Sequence, residues 1–294
     1  MDTHKKLLIL GAGKMGGSLL KGLIASNKLD FDISIIEPNL TNDIQKLINP
    51  NGIEYYKSPE DIKDPDFDLV IFAVKPQSIN EVCAGLGKSL NQKKIFSIIS
   101  ILAGTKIKEF KSFFKESPVI RTMPNLAVSE GSGMTALCGS NNANKSFKAT
   151  AGKIFLEVGE IIWVDNEAMM DVITATSGSG PAYFFFLAEC LALISEEMGL
   201  SNQDAHKLSR QVVIGSADVM RNSTESLASL RKKVTSKGGT TEAALDVMMG
   251  SEKDFYNIFK KAIKAAFKSL NPGVAIAAGI ALIALGSVFK SGAA

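Results

Sequence analysis

Gly11-Ala12-Gly13-Lys14-Met15-Gly16 constrains this chain more than any other stretch. A GxGxxG alone is a weak signal. Here it follows the apolar run Leu7-Leu8-Ile9-Leu10, which stops at Gly11 as a buried parallel strand does. It opens a helical spacing of Met15, Leu19, Leu20 and Leu23 over Met15 to Ala25. In that context each glycine has its own task. Gly11 permits a tight turn, Gly13 lets a pyrophosphate approach the backbone, and Gly16 allows close helix–strand packing. The helix start then offers free N–H groups and a positive dipole end to phosphates. The plainer alternative is a glycine turn without a ligand.

Further strand patterns follow at Ile33 to Ile36, Leu69 to Val74, Ile95 to Ile99 and Val119 to Thr122. Segments long enough for helices separate them, which predicts a parallel sheet with helices on its faces. Thr135 to Cys138 and Ile161 to Val164 are expected to add edge strands. Beyond Asp165 the strand signal ends. Helices are expected over Pro181 to Met198, Gln203 to Met220, Ser226 to Val234, Glu242 to Met249 and Lys253 to Ser269. The fold class is therefore α/β, a Rossmann-type doubly wound sheet over residues 1–164, followed by an all-helical domain over 165–270. Residues 271–294 form an apolar tail. Its Val274 to Leu285 run, extending through Val288-Phe289, falls just short of a bilayer span. A packing helix, an inert tail and a weak membrane anchor are the alternatives.

Composition removes several functions. The 294 residues are 46% hydrophobic and 21% charged, which excludes a disordered chain. The net charge of +3, from 33 basic and 30 acidic residues without a long basic run, disfavours nucleic-acid binding. Cys83, Cys138 and Cys190 form no CxxC clip and suggest free thiols in a reducing cytoplasm. The two histidines, His4 and His206, stand in no ligand-like cluster, so neither a metal site nor a Ser-His-Asp triad is expected.

Strand ends nominate the cofactor contacts. Glu37 closes the second strand 21 residues after Gly16, where a carboxylate can bond an adenine-ribose 2′-hydroxyl and repel a 2′-phosphate. With no arginine nearby, NADH is favoured over NADPH. Ser58 is a second residue for the ribose, and a solvated strand-end charge is the alternative for Glu37. Ala73-Val74-Lys75-Pro76 leaves another strand end, and Lys75 can meet phosphates or ribose hydroxyls. Ala103-Gly104 and Met123-Pro124-Asn125 occupy equivalent places, with Asn125 open to a nicotinamide, a substrate or plain turn chemistry.

Two small-residue clusters precede helices in the second half. They are Ser177-Gly178-Ser179-Gly180-Pro181 and Ser236-Lys237-Gly238-Gly239-Thr240-Thr241. Each reads either as a helix cap or as an anion cradle of successive N–H groups. A backbone cradle suits a chain with four arginines, Arg121, Arg210, Arg221 and Arg231. Thr240 or Thr241 can then aim a hydroxyl at a substrate atom. Ketone reduction needs a proton donor, usually His or Lys, whereas a protonated imine accepts hydride and becomes a neutral amine. Scarce histidine leans toward a C=N substrate.

With these motifs in order, the chain resembles pyrroline-5-carboxylate reductases over about residues 5–270. The most specific stretch is Leu230 to Leu245, LRKKVTSKGGTTEAAL, joined by Gly11–Gly16, Ala73–Pro76, Arg121-Thr122-Met123-Pro124-Asn125 and Ser177–Tyr183. The resemblance implies a helical domain that interlocks with a partner's in a homodimer, in some members within a larger ring of dimers. It implies an active site between a cofactor domain and the dimer's helical domains. It also implies hydride transfer from NADH or NADPH to 1-pyrroline-5-carboxylate, giving L-proline. By position, Thr241 matches the catalytic threonine that bonds the ring nitrogen. Gly238, Gly239 and Thr240 match the loop that holds the substrate carboxylate. Gly11, Ala12, Gly13, Lys14, Met15, Lys75 and Ala103 match cofactor contacts. Leu126-Ala127 replaces the family's usual Thr-Pro, and Lys237 stands where many relatives have proline. Two rivals remain: a β-hydroxyacid-type dehydrogenase, for which no catalytic lysine stands out, and a nucleotide-binding sensor without catalysis.

Overall fold

A computed structural model describes residues 5–26, 31–90, 95–250 and 254–270. The apolar run of the tail and His4 lie outside the described residues. Cα packing divides the chain into two compact units, Met1–Gly178 and Ser179–Ala294.

The first unit is built on an eight-stranded sheet. In chain order its elements begin β1 (Lys5–Leu10), α1 (Lys14–Ser26), β2 (Phe31–Ile36), α2 (Asn42–Ile48), β3 (Glu54–Tyr56) and β4 (Leu69–Phe72). There follow α3 (Ile79–Ser89), β5 (Ser97–Ser100), α4 (Ile107–Phe113), β6 (Val119–Met123), β7 (Gly133–Gly139), α5 (Lys145–Leu156), β8 (Gly159–Trp163) and α6 (Met169–Ile173). The strand order is β3-β2-β1-β4-β5-β6-β7-β8. Strands β1 to β6 run parallel, and β7 is antiparallel to β6. The order reverses between β1 and β4, which is where open sheets of this kind bind ligands.

Alternation along β1 explains why both faces are covered. Leu7 and Ile9 pack with Leu19, Leu20 and Leu23 of α1 and with Phe147, Ile154 and Phe155 of α5. Leu8 and Leu10 face the other way, onto Ile79, Cys83 and Leu86 of α3 and Phe110 of α4. Strand β1 is thus apolar on both sides, as a strand between two helix layers requires.

Two sequence expectations change. The predicted edge strand around Thr135 to Cys138 is internal, because β8 adds outside it. Only the short connection Pro124 to Ser132, with a 3-10 turn at Leu126–Glu130, joins β6 to β7, so the chain reverses instead of crossing over. The expected cap before α7 falls to Ser179, whose side chain makes no capping bond, while Ser177 and Gly178 end a π-helical turn, Thr174–Gly178. Thr174 and Thr176 hydroxyls donate back to the Met170 and Val172 carbonyls, the bonding pattern that distorts helical turns.

The second unit holds α7 (Gly180–Glu197), α8 (Asn202–Arg221), α9 (Leu227–Lys233), α10 (Thr240–Met249) and α11 (Asp254–Ser269). Pro181 sits in the first turn of α7, where its missing N–H costs nothing. Helices α7 and α8 pack together, with Ala192 of α7 and Ala205 and Ser209 of α8 buried. Tyr183 meets Phe259 edge-on at 5.5 Å. Much apolar surface stays open. Phe184, Phe185 and Phe186 are 54%, 63% and 60% exposed. By length and composition Met169–Glu197 is apolar enough to cross a membrane.

Candidate active site

Because β1 to β6 run parallel, their carboxyl ends share one edge of the sheet. In strand order this edge carries Ser58, Glu37, the glycine loop, Ala73-Val74-Lys75, Ala103 and Asn125. Five interstrand gaps of about 4.8 Å make this row about 24 Å long.

The glycine loop divides its tasks as the spacing predicts. Gly11 has φ +94°, and a Cβ there would lie 2.7 Å from the Ala73 carbonyl oxygen. A Cβ on Gly16 would lie 2.1 Å from the Gly11 carbonyl oxygen, so only glycine lets α1 seat against the turn. Gly13 is different: nothing lies within 4 Å of its added Cβ. Gly13 and Lys14 are exposed, whereas Gly11, Ala12 and Gly16 are buried. The backbone at Gly13 and Lys14 therefore opens onto free space at the start of α1, a fit to a dinucleotide pyrophosphate. Met15 is half-buried beside them.

Glu37 turns back to this loop. Its Oε2 accepts from the Ala12 N–H at 2.8 Å, and its Oε1 accepts from the Asn39 N–H at 3.0 Å. The carboxylate is thus fixed beside the turn. Ser58 is engaged locally, its hydroxyl donating to Asp61 Oδ2 at 3.0 Å. Lys75 is exposed and precedes a 3-10 turn, Pro76–Ser78. Ala103 is exposed beside Gly104, whose φ is +75°. Asn125 Oδ1 accepts from the Ala127 and Met134 N–H groups at 3.2 and 3.3 Å, so its oxygen holds the turn.

The second cluster forms a tight loop before α10. Gly238 has φ +72°, and its N–H donates to Glu242 Oε2 at 2.6 Å. The Gly239 N–H donates to the Ser236 carbonyl at 3.0 Å. The amides of Thr240 and Thr241, in the first turn of α10, have no intrahelical acceptor. Thr241 is half-buried and Thr240 exposed. Sequence reasoning missed Glu242 as the acceptor, although a Glu at the third helical position is a capping signal. It also missed Glu167 and Asp171, which pair with Arg121 from 46 and 50 residues away.

Among the described residues, no group of three His, Cys, Asp or Glu side chains converges as metal ligands do. A hollow of about 770 Å³ between β7, α5 and β8 is lined by none of the predicted site residues.

Comparisons with known proteins divide the chain in a similar way. A family profile described as pyrroline-5-carboxylate reductase dimerisation matches residues 167–271, and one described as NADP oxidoreductase, coenzyme F420-dependent, matches 6–104. A pyrroline-5-carboxylate reductase of Pseudomonas aeruginosa is 32% identical over 89% of this chain and 94% of its own length. One of Synechocystis is 33% identical over 90% and 96%. Among solved structures, a pyrroline-5-carboxylate reductase from Coxiella burnetii superposes with a TM-score of 0.82 and 31% identity, covering 91% of this chain and 98% of that one. The Plasmodium falciparum pyrroline carboxylate reductase with NADP bound gives 0.76 and 27%, covering 92% and 98%.

Proposed function

The chain belongs to the pyrroline-5-carboxylate reductase family, and from that premise we propose that it reduces 1-pyrroline-5-carboxylate to L-proline, the last step of proline biosynthesis. The observation that carries this reading is the open amide cradle at Gly13, framed by two glycines that admit no side chain, in a chain similar to these reductases along nine tenths of its length.

A reduced nicotinamide dinucleotide supplies the hydride when bound. Gly11 to Gly16, with Ala12, Lys14 and Met15, would hold its pyrophosphate, and Ala73, Val74, Lys75, Ala103 and Asn125 would line the same edge. Glu37 supports NADH over NADPH, because a fixed carboxylate accepts from a 2′-hydroxyl and repels a 2′-phosphate. The P. falciparum structure contains NADP, so this preference is a property proposed for the present residues. Ser58 supports the ribose position only if its hydroxyl leaves Asp61.

In the second unit, Thr241 would bond the ring nitrogen, and the loop of Gly238, Gly239 and Thr240 would hold the carboxylate. Since the Gly238 and Gly239 amides are already bonded, Thr240 and Thr241 offer the free N–H groups. The reaction reduces a C=N bond, so these residues orient the substrate and no strongly shifted acid is required.

The working form is a homo-oligomer, at least a dimer, built through the helical domain. Support comes from the dimerisation profile over 167–271 and from the exposed phenylalanines of α7. The functional boundary belongs near 164/165, where the sheet has ended and that profile is about to begin. Free thiols at Cys83, Cys138 and Cys190 fit a cytoplasmic protein.

The test is product analysis. Proline should appear in one-to-one ratio with the nicotinamide oxidised. Turnover of a 3-hydroxy acid without turnover of the imine would overturn the reading.

A further inference from the structure

Arg121 is the one charged residue among the buried polar groups of the described chain, its side chain 3% exposed. It reaches two carboxylates. Its guanidinium donates to Glu167 Oε1 at 3.2 Å and to Asp171 Oδ1 at 3.0 Å. A buried arginine needs such partners, so the pairs alone would be ordinary packing. Glu167 does something more. The same Oε1 accepts from the Ile107 N–H at 2.8 Å. Ile107 begins α4, and its amide is one that the helix itself leaves unpaired.

That bond closes the turn between β5 and α4. At the near end, the Leu102 N–H donates to Ser100 Oγ at 3.3 Å, and the Thr122 hydroxyl donates to the Ser100 carbonyl at 3.0 Å. At the far end stands Glu167. Between them, Ala103 and Gly104 project exposed from the ligand edge of the sheet. We propose that Glu167, held by Arg121, is a positioning residue for the nicotinamide cofactor, setting the Ala103–Gly104 turn through the Ile107 amide. Asp171 shares the arginine but contacts no amide of that turn in the described structure. It stabilises the arginine and leaves the turn alone. The inference rests on the proposed reductase function.

The experiment compares four full-length proteins by NADH and NADPH fluorescence titration, thermal melting and steady-state kinetics. Glu167→Ala is expected to weaken binding of both cofactors about tenfold, the scale of one charge-assisted hydrogen bond. The KM for 1-pyrroline-5-carboxylate should stay within about twofold. Asp171→Ala should lower Tm and leave cofactor affinity at the wild-type level. Ile107→Pro attacks the bond from the other end. Proline is favoured at the first helical position, Lys106 before it is already extended, and the ion pairs stay intact. It should reproduce the cofactor loss of Glu167→Ala, and it decides the matter alone if Glu167→Ala does not fold. Equal Tm losses for Glu167→Ala and Asp171→Ala, with wild-type cofactor affinity in both and in Ile107→Pro, would overturn the proposal. Wild-type protein that binds neither cofactor would overturn the reductase reading and this inference together, an outcome read from the wild type alone.

Discussion

Gly13 and Gly16 stand three residues apart and carry different constraints. An alanine at 16 drives its Cβ into the Gly11 carbonyl, where backbone must move. Gly16→Ala should therefore cost about 1–3 kcal/mol of stability, less the small gain of alanine in a helix. Gly13→Ala meets nothing and should melt near the wild-type temperature, while binding NADH more weakly. Melting and titration of the two variants test the division, and equal melting temperatures would contradict it. Glu37→Ser should narrow any preference for NADH, measured as the ratio of specificity constants; each tenfold corresponds to about 1.4 kcal/mol. A wild type that prefers NADPH would refute the ribose argument. Thr241→Ala should lower turnover strongly with NADH affinity unchanged, and unchanged turnover would remove Thr241 from the site chemistry. Cys83 supplies a different kind of prediction. Burial pushes its thiol up to about 12 from an ordinary 9.0. The folded state thus favours the protonated thiol. Its contribution is complete below pH 9 and declines from there toward pH 12, as the unfolded chain ionises first. Cys83→Ala should flatten the fall of stability between pH 9 and 12 in urea titrations.

At the scale of elements, punctuation made the sheet readable. Gly11, Glu37-Pro38, Lys75-Pro76 and Pro124 end strands whose apolar runs are unmistakable, and those ends are the candidate cofactor edge. Short-range pattern was silent where the cause is distant. Strand β3 is three residues long, too short for an alternating signal. The direction of β7 depends on a reversal after β6, which no residue within β7 announces. The small residues at 177–180 suggest a cap and Ser179 takes that position, but nothing in them announces the π turn at Thr174–Gly178, where threonines bond back to the preceding carbonyls. For Asn125 the sequence leaves a cofactor contact and turn chemistry both open, and only the structure shows its oxygen accepting from Met134. The Arg121 cluster is invisible for the same reason: its partners lie 46 and 50 residues further along the chain.

The whole molecule is two units with different surfaces. The sheet unit buries both faces of its central strands, whereas the helical unit leaves phenylalanines of α7 in solvent. Phe185→Glu should shift the protein to a smaller species in light scattering and abolish turnover. NADH binding by the sheet unit should survive; an unchanged mass would contradict the role given to α7. Imine reduction itself is tested by following absorbance at 340 nm with purified protein, 1-pyrroline-5-carboxylate and either NADH or NADPH. Rapid oxidation is expected, faster at low cofactor concentration with NADH. Folded protein that binds NADH tightly and oxidises neither cofactor would contradict it and leave a nucleotide-binding protein without catalysis.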